Sequence, residues 1–179
     1  LFQVSCLELA HPNHYPLQTY ETLSASEGDP LSALLSALSL LREGESALLQ
    51  LAIAKAREDW KETALKALDN AREAPSVEAT FEALARRKLA APGFRFALNL
   101  VIRAPTPKRL CDLERQLREA FNVFQSPVNR LEGGRIWCSS RHLTNVLARR
   151  VKPRQQVLCS HELATLFHLP NRSLATIRN

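Results

Sequence analysis

The stretch that most constrains the fold runs from Phe94 to Phe124. Phe94, Phe96, Leu98, Leu100 and Ile102 alternate with Arg95, Ala97, Asn99, Val101 and Arg103, which predicts a strand with one buried and one partly polar face. The period then changes abruptly. Thr106 is placed to cap, and Pro107 to open, a helix whose Leu110, Leu113, Leu117, Ala120, Phe121 and Phe124 share one stripe, while Lys108, Arg109, Arg115 and Arg118 face out. A strand handing over directly to an amphipathic helix buries the two apolar surfaces against each other, as in two-layer α+β packing.

The rest of the chain repeats that grammar. A strand is expected near Phe2 to Leu9. Asp29 can cap and Pro30 open a helix carrying Leu31, Leu34, Leu35, Leu38 and Leu41 on one stripe, with Gly44 as its stop. Ala47, Leu49, Leu51 and Ile53 alternate with Leu48, Gln50 and Ala52, the pattern of a strand largely buried on both faces. Asp59 and Glu62 resemble a capping box, opening a helix with Trp60, Ala64, Ala67, Leu68 and Ala71 on one face. Pro75 and Ser76 separate it from a helix through Phe81 and Leu84 to about Lys88. Ala91, Pro92 and Gly93 punctuate, and Pro127 and Gly133-Gly134 bracket a short strand before Ile136. Two short helices close the chain, near Arg141 to Arg149 and from Ser160.

Strand 46–54 with helix 59–71 is echoed by strand 94–103 with helix 107–122. The expected fold is therefore a two-layer ferredoxin-like plait, an antiparallel sheet with helices on one face, plus short C-terminal helices. Residues 1–135 form the α+β domain, in halves 1–90 and 91–135, and 136–179 a helical extension. The 179 residues suffice for a real core, and 10 Pro with only 5 Gly favour a helix-rich α+β chain over a β-sandwich. No apolar run approaches the roughly 20 residues of a membrane span. Leu1 in place of an initiator Met, with no Met anywhere, reads as a processed or excised segment. The widely spaced Cys6, Cys111, Cys138 and Cys159 form no metal spacing and read as reduced, buried thiols.

Charge is divided unevenly. Residues 1–90 carry 9 Lys/Arg against 13 Asp/Glu, and the remainder 15 against 5, giving −4 followed by +10. Arg130, Arg135, Arg141, Arg149, Arg150, Lys152 and Arg154, opposed only by Glu132, form a candidate contact for nucleic acid or a partner. On the expected strand 94–103, Arg95, Asn99 and Arg103 offer contacts to a phosphate backbone, whereas Phe94 and Phe96 point with the buried set and do not offer base stacking.

Catalytic chemistry is not visible. None of the five glycines belongs to a G-x-G-x-x-G or is followed by Lys-Ser or Lys-Thr, so no phosphate loop is present and no cofactor is expected. His11 and His14 lack further metal ligands nearby, and His161 and His168 read as parts of a packed helix end before Pro170. Ser139 and Ser140, beside Arg141 and His142, read as a helix cap rather than a nucleophile with its base. No constellation of nucleophile, base and orienter marks an enzyme, and no small-molecule substrate is expected.

Two segments carry a family resemblance. Val157-Leu158-Cys159-Ser160-His161-Glu162-Leu163-Ala164-Thr165-Leu166-Phe167-His168-Leu169-Pro170 resembles a segment of conjugative DNA-transfer and type IV secretion ATPases of the HerA/FtsK-like motor class. Gly28-Asp29-Pro30-Leu31-Ser32-Ala33-Leu34-Leu35, followed by Gly44-Glu45-Ser46-Ala47-Leu48-Leu49-Gln50-Leu51, is similar to the amino-terminal accessory region of the same proteins. The resemblance implies a non-catalytic accessory domain upstream of a motor, with 136–179 leading toward that motor and ATP and Mg bound only there. Its implied partners are its own motor domain, neighbouring subunits and secretion-channel proteins, at the cytoplasmic, inner face of the membrane. DNA contact through Arg130 to Arg154 is the alternative role. The resemblance carries no catalytic residue onto this chain.

Overall fold

The alternating segment forms a central strand, Gly93–Arg103, to which three other strands pair. The computed structural model describes residues 1–21, 23, 29–72 and 79–168, the side chains of residues 71, 72, 79, 80, 135 and 137 aside. Among these residues the strands are β1 (Phe2–Leu9), β2 (Ser46–Lys55), β3 (Gly93–Arg103), β4 (Leu131–Trp137) and β5 (Val157–Cys159). The helices are α1 (Leu31–Leu38), α2 (Asp59–Arg72), α3 (Ala79–Ala90), α4 (Pro107–Glu119), α5 (Ser140–Leu147) and α6 (Ser160–Leu166), with a 3-10 turn at Ala120–Phe124. Pro75, Ser76, Gly28 and Pro170, to which the sequence reading gave roles, lie outside the described residues.

The sheet is antiparallel throughout, in the order β2-β3-β1-β4. The connection through α1 carries the chain from β1 to β2 across β3, and the one through α4 from β3 to β4 across β1. This is the split β-α-β arrangement of a ferredoxin-like plait, with α2 and α3 set between its second and third strands. The related units are thus β1-α1-β2 and β3-α4-β4, not the expected pair 46–71 and 94–122. Whereas α4 packs in the main core, α2 packs on α3 in a separate cluster of Ala64, Leu68, Ala85 and Leu89 beside Trp60.

One face of the sheet carries Leu7, Leu9, Phe96, Leu98, Leu100 and Ile102. Over it lie Leu34 and Ala37 of α1, Leu110, Leu113 and Leu117 of α4, Phe121 and Phe124, and Leu166 of α6. Each fully buried large side chain in this layer stabilises the fold by about 1.5–3 kcal/mol. The opposite face is covered as well, which the alternation of β3 did not predict. Val146 of α5 packs on Val4 and Val101, with Phe2, Leu143 and Val151 around them.

Three expectations are corrected. The expected boundary at 135/136 falls inside β4, and 157–159, expected in a helical tail, is β5. The reason is that β3 outruns β1: β1 pairs with residues 98–103, and β5 takes up 93–95 on the same side. Next, α1 ends at Leu38 rather than near Gly44. Ser39 donates its hydroxyl to the Ser36 carbonyl, a local bond that competes with helix continuation, and Gly44 instead supplies a left-handed turn (φ 79°) into β2. Lastly, β2 is not buried on both faces. It is an edge strand in which no residue is buried, and Leu48 and Ile53 are 39% and 52% exposed.

Candidate functional site

A sealed charged group gathers where β5 meets α6. Lys88 of α3 and Glu162 of α6 lie with Nζ 3.0 Å from Oε1, and neither side chain has exposed surface. An ion pair taken out of water persists only if its remaining valences are filled. Glu162 Oε1 also accepts the Leu17 N–H at 2.7 Å, Oε2 accepts the Cys159 N–H at 2.6 Å, and Lys88 donates to the Tyr15 carbonyl at 3.2 Å. The Cys159 bond is half of a capping box that starts α6.

Two titratable neighbours, Cys159 and His14, feel the charges of this group. Burial, and after it the Glu162 charge, push the Cys159 thiol up to about 11, so it stays protonated at neutral pH. Burial, and then Lys88, lower the pKa of His14. A cavity of about 50 Å³, with room for water, is bordered by Leu17, Leu84, Lys88 and Cys159.

His168 lies just past α6, where Nδ1 is 3.0 Å from the Thr165 carbonyl and Nε2 is 2.9 Å from Asp29 Oδ1. The Tyr20 hydroxyl contacts the same Nε2. Asp29 also accepts the Leu31 N–H at 2.9 Å, so one carboxylate starts α1 and anchors the end of α6. His161 is exposed beside Glu21, whereas His168 is half-buried just past the end of α6. His14 is buried and His11 exposed. Among the described residues no three His, Cys, Asp or Glu side chains gather as a metal site.

The basic cluster expected between 130 and 154 divides. Arg130 pairs with Glu132 at 3.3 Å, at the Leu9 end of β1, where its carbonyl accepts the Ala10 N–H. That is the opposite end from Val4, on which α5 packs. Arg154 is held by Glu8, and the side chain of Arg135 lies outside the described set. Arg141, Arg149, Arg150 and Lys152 remain, all exposed on α5 and the segment after it, with no acidic partner among the described residues. Arg149 is in the left-handed region (φ 56°), where its N–H reaches the Val146 carbonyl and that of Arg150 the Asn145 carbonyl. This is the helix ending that glycine ordinarily supplies, made here with arginine.

The polar side of β3 is not a free surface. Asn99 is buried and bonds Gln50, whose amide donates to the Val146 carbonyl at 2.6 Å. Arg95 is half-buried, with a buried Nε that has no hydrogen-bond partner, and Arg103 alone of the three is exposed. Ser139 occupies the N-cap position of α5 without a side-chain bond, its carbonyl accepting from His142 and Leu143. Two expectations are corrected beside these. Cys111 and Cys138 are exposed, so only Cys6 and Cys159 are buried thiols. Arg109 does not face out but grips Glu45 with Nε 2.7 Å and Nη2 2.9 Å from its two carboxylate oxygens.

The sequence reading missed the salt bridges of Lys88 with Glu162 and of Arg109 with Glu45, each joining distant elements. Glu162 carried a legible signal, standing three residues after the α6 N-cap, but nothing marks Lys88 or Arg109 among many exposed cations. Comparison of the chain with family models, curated proteins and solved structures yields no match.

Proposed function

We propose that this chain is a non-catalytic accessory domain of a type IV secretion or conjugative-transfer ATPase, docking the motor to neighbouring subunits or to channel proteins at the inner face of the membrane. The observation that carries the reading is the contact between His168 and Asp29. The two segments that resemble the motor family lie at opposite ends of the chain, and this bond joins a residue of each. Motifs fixed to one another in this way have a physical reason to occur together. Glu162 ties the second segment to the backbone of Leu17 as well, outside either motif. Among the described residues no helix is long and apolar enough to cross a membrane. ATP and magnesium belong, in this reading, to the motor and not to this domain.

The reading frame encoding the chain provides the test. A downstream Gly-rich loop ending in Gly-Lys-Ser or Gly-Lys-Thr supports the proposal, and deleting residues 1–168 from the parent is then expected to spare ATP hydrolysis but abolish DNA transfer. A stop codon soon after Asn179 removes it.

A second reading rests on Arg141, Arg149, Arg150 and Lys152, which are exposed and lack acidic partners among the described residues. Such a surface neutralises phosphates without reading sequence. Anisotropy with labelled single- and double-stranded DNA is expected to show affinity falling steeply with salt. No binding at low salt ends this reading.

A further inference from the structure

The edge strand β2 has the features of a dimerisation surface. Its pairing with β3 fixes which backbone groups point outward. Ala56, paired after the strand's end, donates its N–H to the Gly93 carbonyl, so even-numbered residues of β2 exchange bonds with β3. Ala47, Leu49, Leu51, Ile53 and Lys55 therefore present their N–H and C=O groups to the open side. Edge strands are ordinarily protected by proline, internal charge, a bulge or a covering segment. From Ser46 to Ala54 the sequence has no proline and no charge, its register with β3 is unbroken, and no residue of the strand is buried. Beside the strand, on α5, Leu147 is 61% exposed.

We propose that this edge pairs with the same edge of a second copy, antiparallel across a two-fold axis near Gln50, to give one continuous sheet. Charge selects the occupant and the direction. The approach to β2 carries the exposed Glu43, and its exit carries the exposed Lys55 and Arg57, the latter 3.6 Å from Asp59. Antiparallel pairing centred on Gln50 sets the exposed Glu43 opposite the partner's Arg57 and beside its Lys55, while Glu45 stays with Arg109. Parallel pairing would set like charges together. The centre also satisfies parity, because Leu49 faces Leu51 and Ala47 faces Ile53, each pair made of outward-pointing residues. The paired sheets keep their covered faces on the same side, and the exposed Leu48 and Ile53 gain apolar neighbours in Ala52 and Ala47. This inference stands on β2 alone and does not require the motor reading.

The test uses the purified chain in a sedimentation and amide-exchange dilution series. The expected result is a monomer–dimer equilibrium in which the amides of Ala47, Leu49, Leu51 and Ile53 gain protection as the dimer forms, while those of Leu48, Gln50 and Ala52 are protected throughout. Glu43→Lys or Lys55→Glu alone is expected to weaken the dimer about tenfold, and mixing the two variants to restore it. Ile53→Pro removes one outward N–H and abolishes the dimer, with circular dichroism checking that the chain remains folded. A monomer at every concentration, with the odd-numbered amides exchanging freely, overturns the proposal and leaves the edge to a strand of another protein. A dimer indifferent to both charge reversals and to a folded Ile53→Pro overturns it equally.

Discussion

Lys88 and Glu162 are separated by 73 residues of chain and meet at 3.0 Å with no water-accessible side-chain surface on either. The pair joins α3 to α6, and through Glu162 it also fixes the backbone of Leu17 and Cys159. Desolvation opposes such a pair and attraction offsets it, so the net contribution of the intact pair is small compared with the cost of removing one member. Lys88→Met is expected to destabilise the chain by about 3–5 kcal/mol, because it strands the Glu162 carboxylate. Adding Glu162→Leu should recover part of that loss, but not all, since the Leu17 and Cys159 amides stay unpaired. Urea unfolding of the two variants measures the difference. A double variant less stable than Lys88→Met would contradict the account.

Glu45 and Arg109 join the entrance of β2 to α4. The Arg109 guanidinium, assisted by the Arg42 backbone, holds the Glu45 carboxyl down from an ordinary 4.5 to about 2. A carboxylate depressed on folding contributes stability above its unfolded pKa and loses it as pH falls through the folded one. Arg109→Met is therefore expected to lower stability at neutral pH, with a deficit that shrinks between about pH 4.5 and about pH 2. Unfolding midpoints measured across that window provide the check. A deficit constant with pH would assign the contribution of Arg109 to packing.

The plait was legible because β1, β3 and α4 obey their periods: Phe96, Leu98, Leu100 and Ile102 are buried together, and Thr106 accepts the Arg109 N–H as its position predicts. Ala47 to Ile53 misled for a physical reason. A strand apolar on both faces looks the same whether two layers of its own chain cover it or it waits for another strand, and periodicity does not distinguish these cases. The basic cluster misled differently. Arg130 and Arg154 are close to Arg141 in sequence, but Glu132 and Glu8 claim them, and Glu8 reaches Arg154 only through the sheet. Sequence proximity gave the composition of the patch, and tertiary pairing decided its membership.

The thiols divide by environment. Cys111 and Cys138 are exposed, whereas Cys6 and Cys159 are buried and Cys159 is held protonated. An aromatic disulfide reagent is expected to label two thiols rapidly in the folded chain and all four in guanidinium. Cys111→Ser with Cys138→Ser should abolish the rapid phase. Rapid labelling of that double variant would place Cys6 or Cys159 within reach of solvent.

Gly93 is a point of close approach. A Cβ there would lie 2.6 Å from the indole nitrogen of Trp60 and 2.7 Å from two of its ring carbons, so α2 sits against the start of β3 with no side chain between them. The indole packs on the cluster of Ala64, Leu68, Ala85 and Leu89, and it must shift to admit a methyl group at residue 93. Gly93→Ala is expected to cost about 1–3 kcal/mol and to shift Trp60 fluorescence toward the solvent-exposed emission. Trp60→Phe should reduce that penalty. An unchanged spectrum with full stability would show that Trp60 does not fix α2 against β3.

Arg149 ends α5 in a left-handed conformation that disfavours any side chain with a Cβ. Strain of that kind costs about 1–2 kcal/mol, and a protein that keeps it with an exposed arginine gains nothing in stability. Arg149→Gly is therefore expected to raise stability by about 1 kcal/mol. The same substitution removes one of the four exposed cations that define the second functional reading. If that surface binds phosphates, Arg149→Gly should weaken DNA binding for all sequences alike and reduce the salt dependence by about one counterion. Arg149→Lys distinguishes the two effects, because it keeps the charge and the strain. Stability that rises with glycine while DNA affinity falls, and neither changing with lysine, would place the function of Arg149 in its charge. A glycine variant that gains stability and binds DNA unchanged would remove Arg149 from the contact surface.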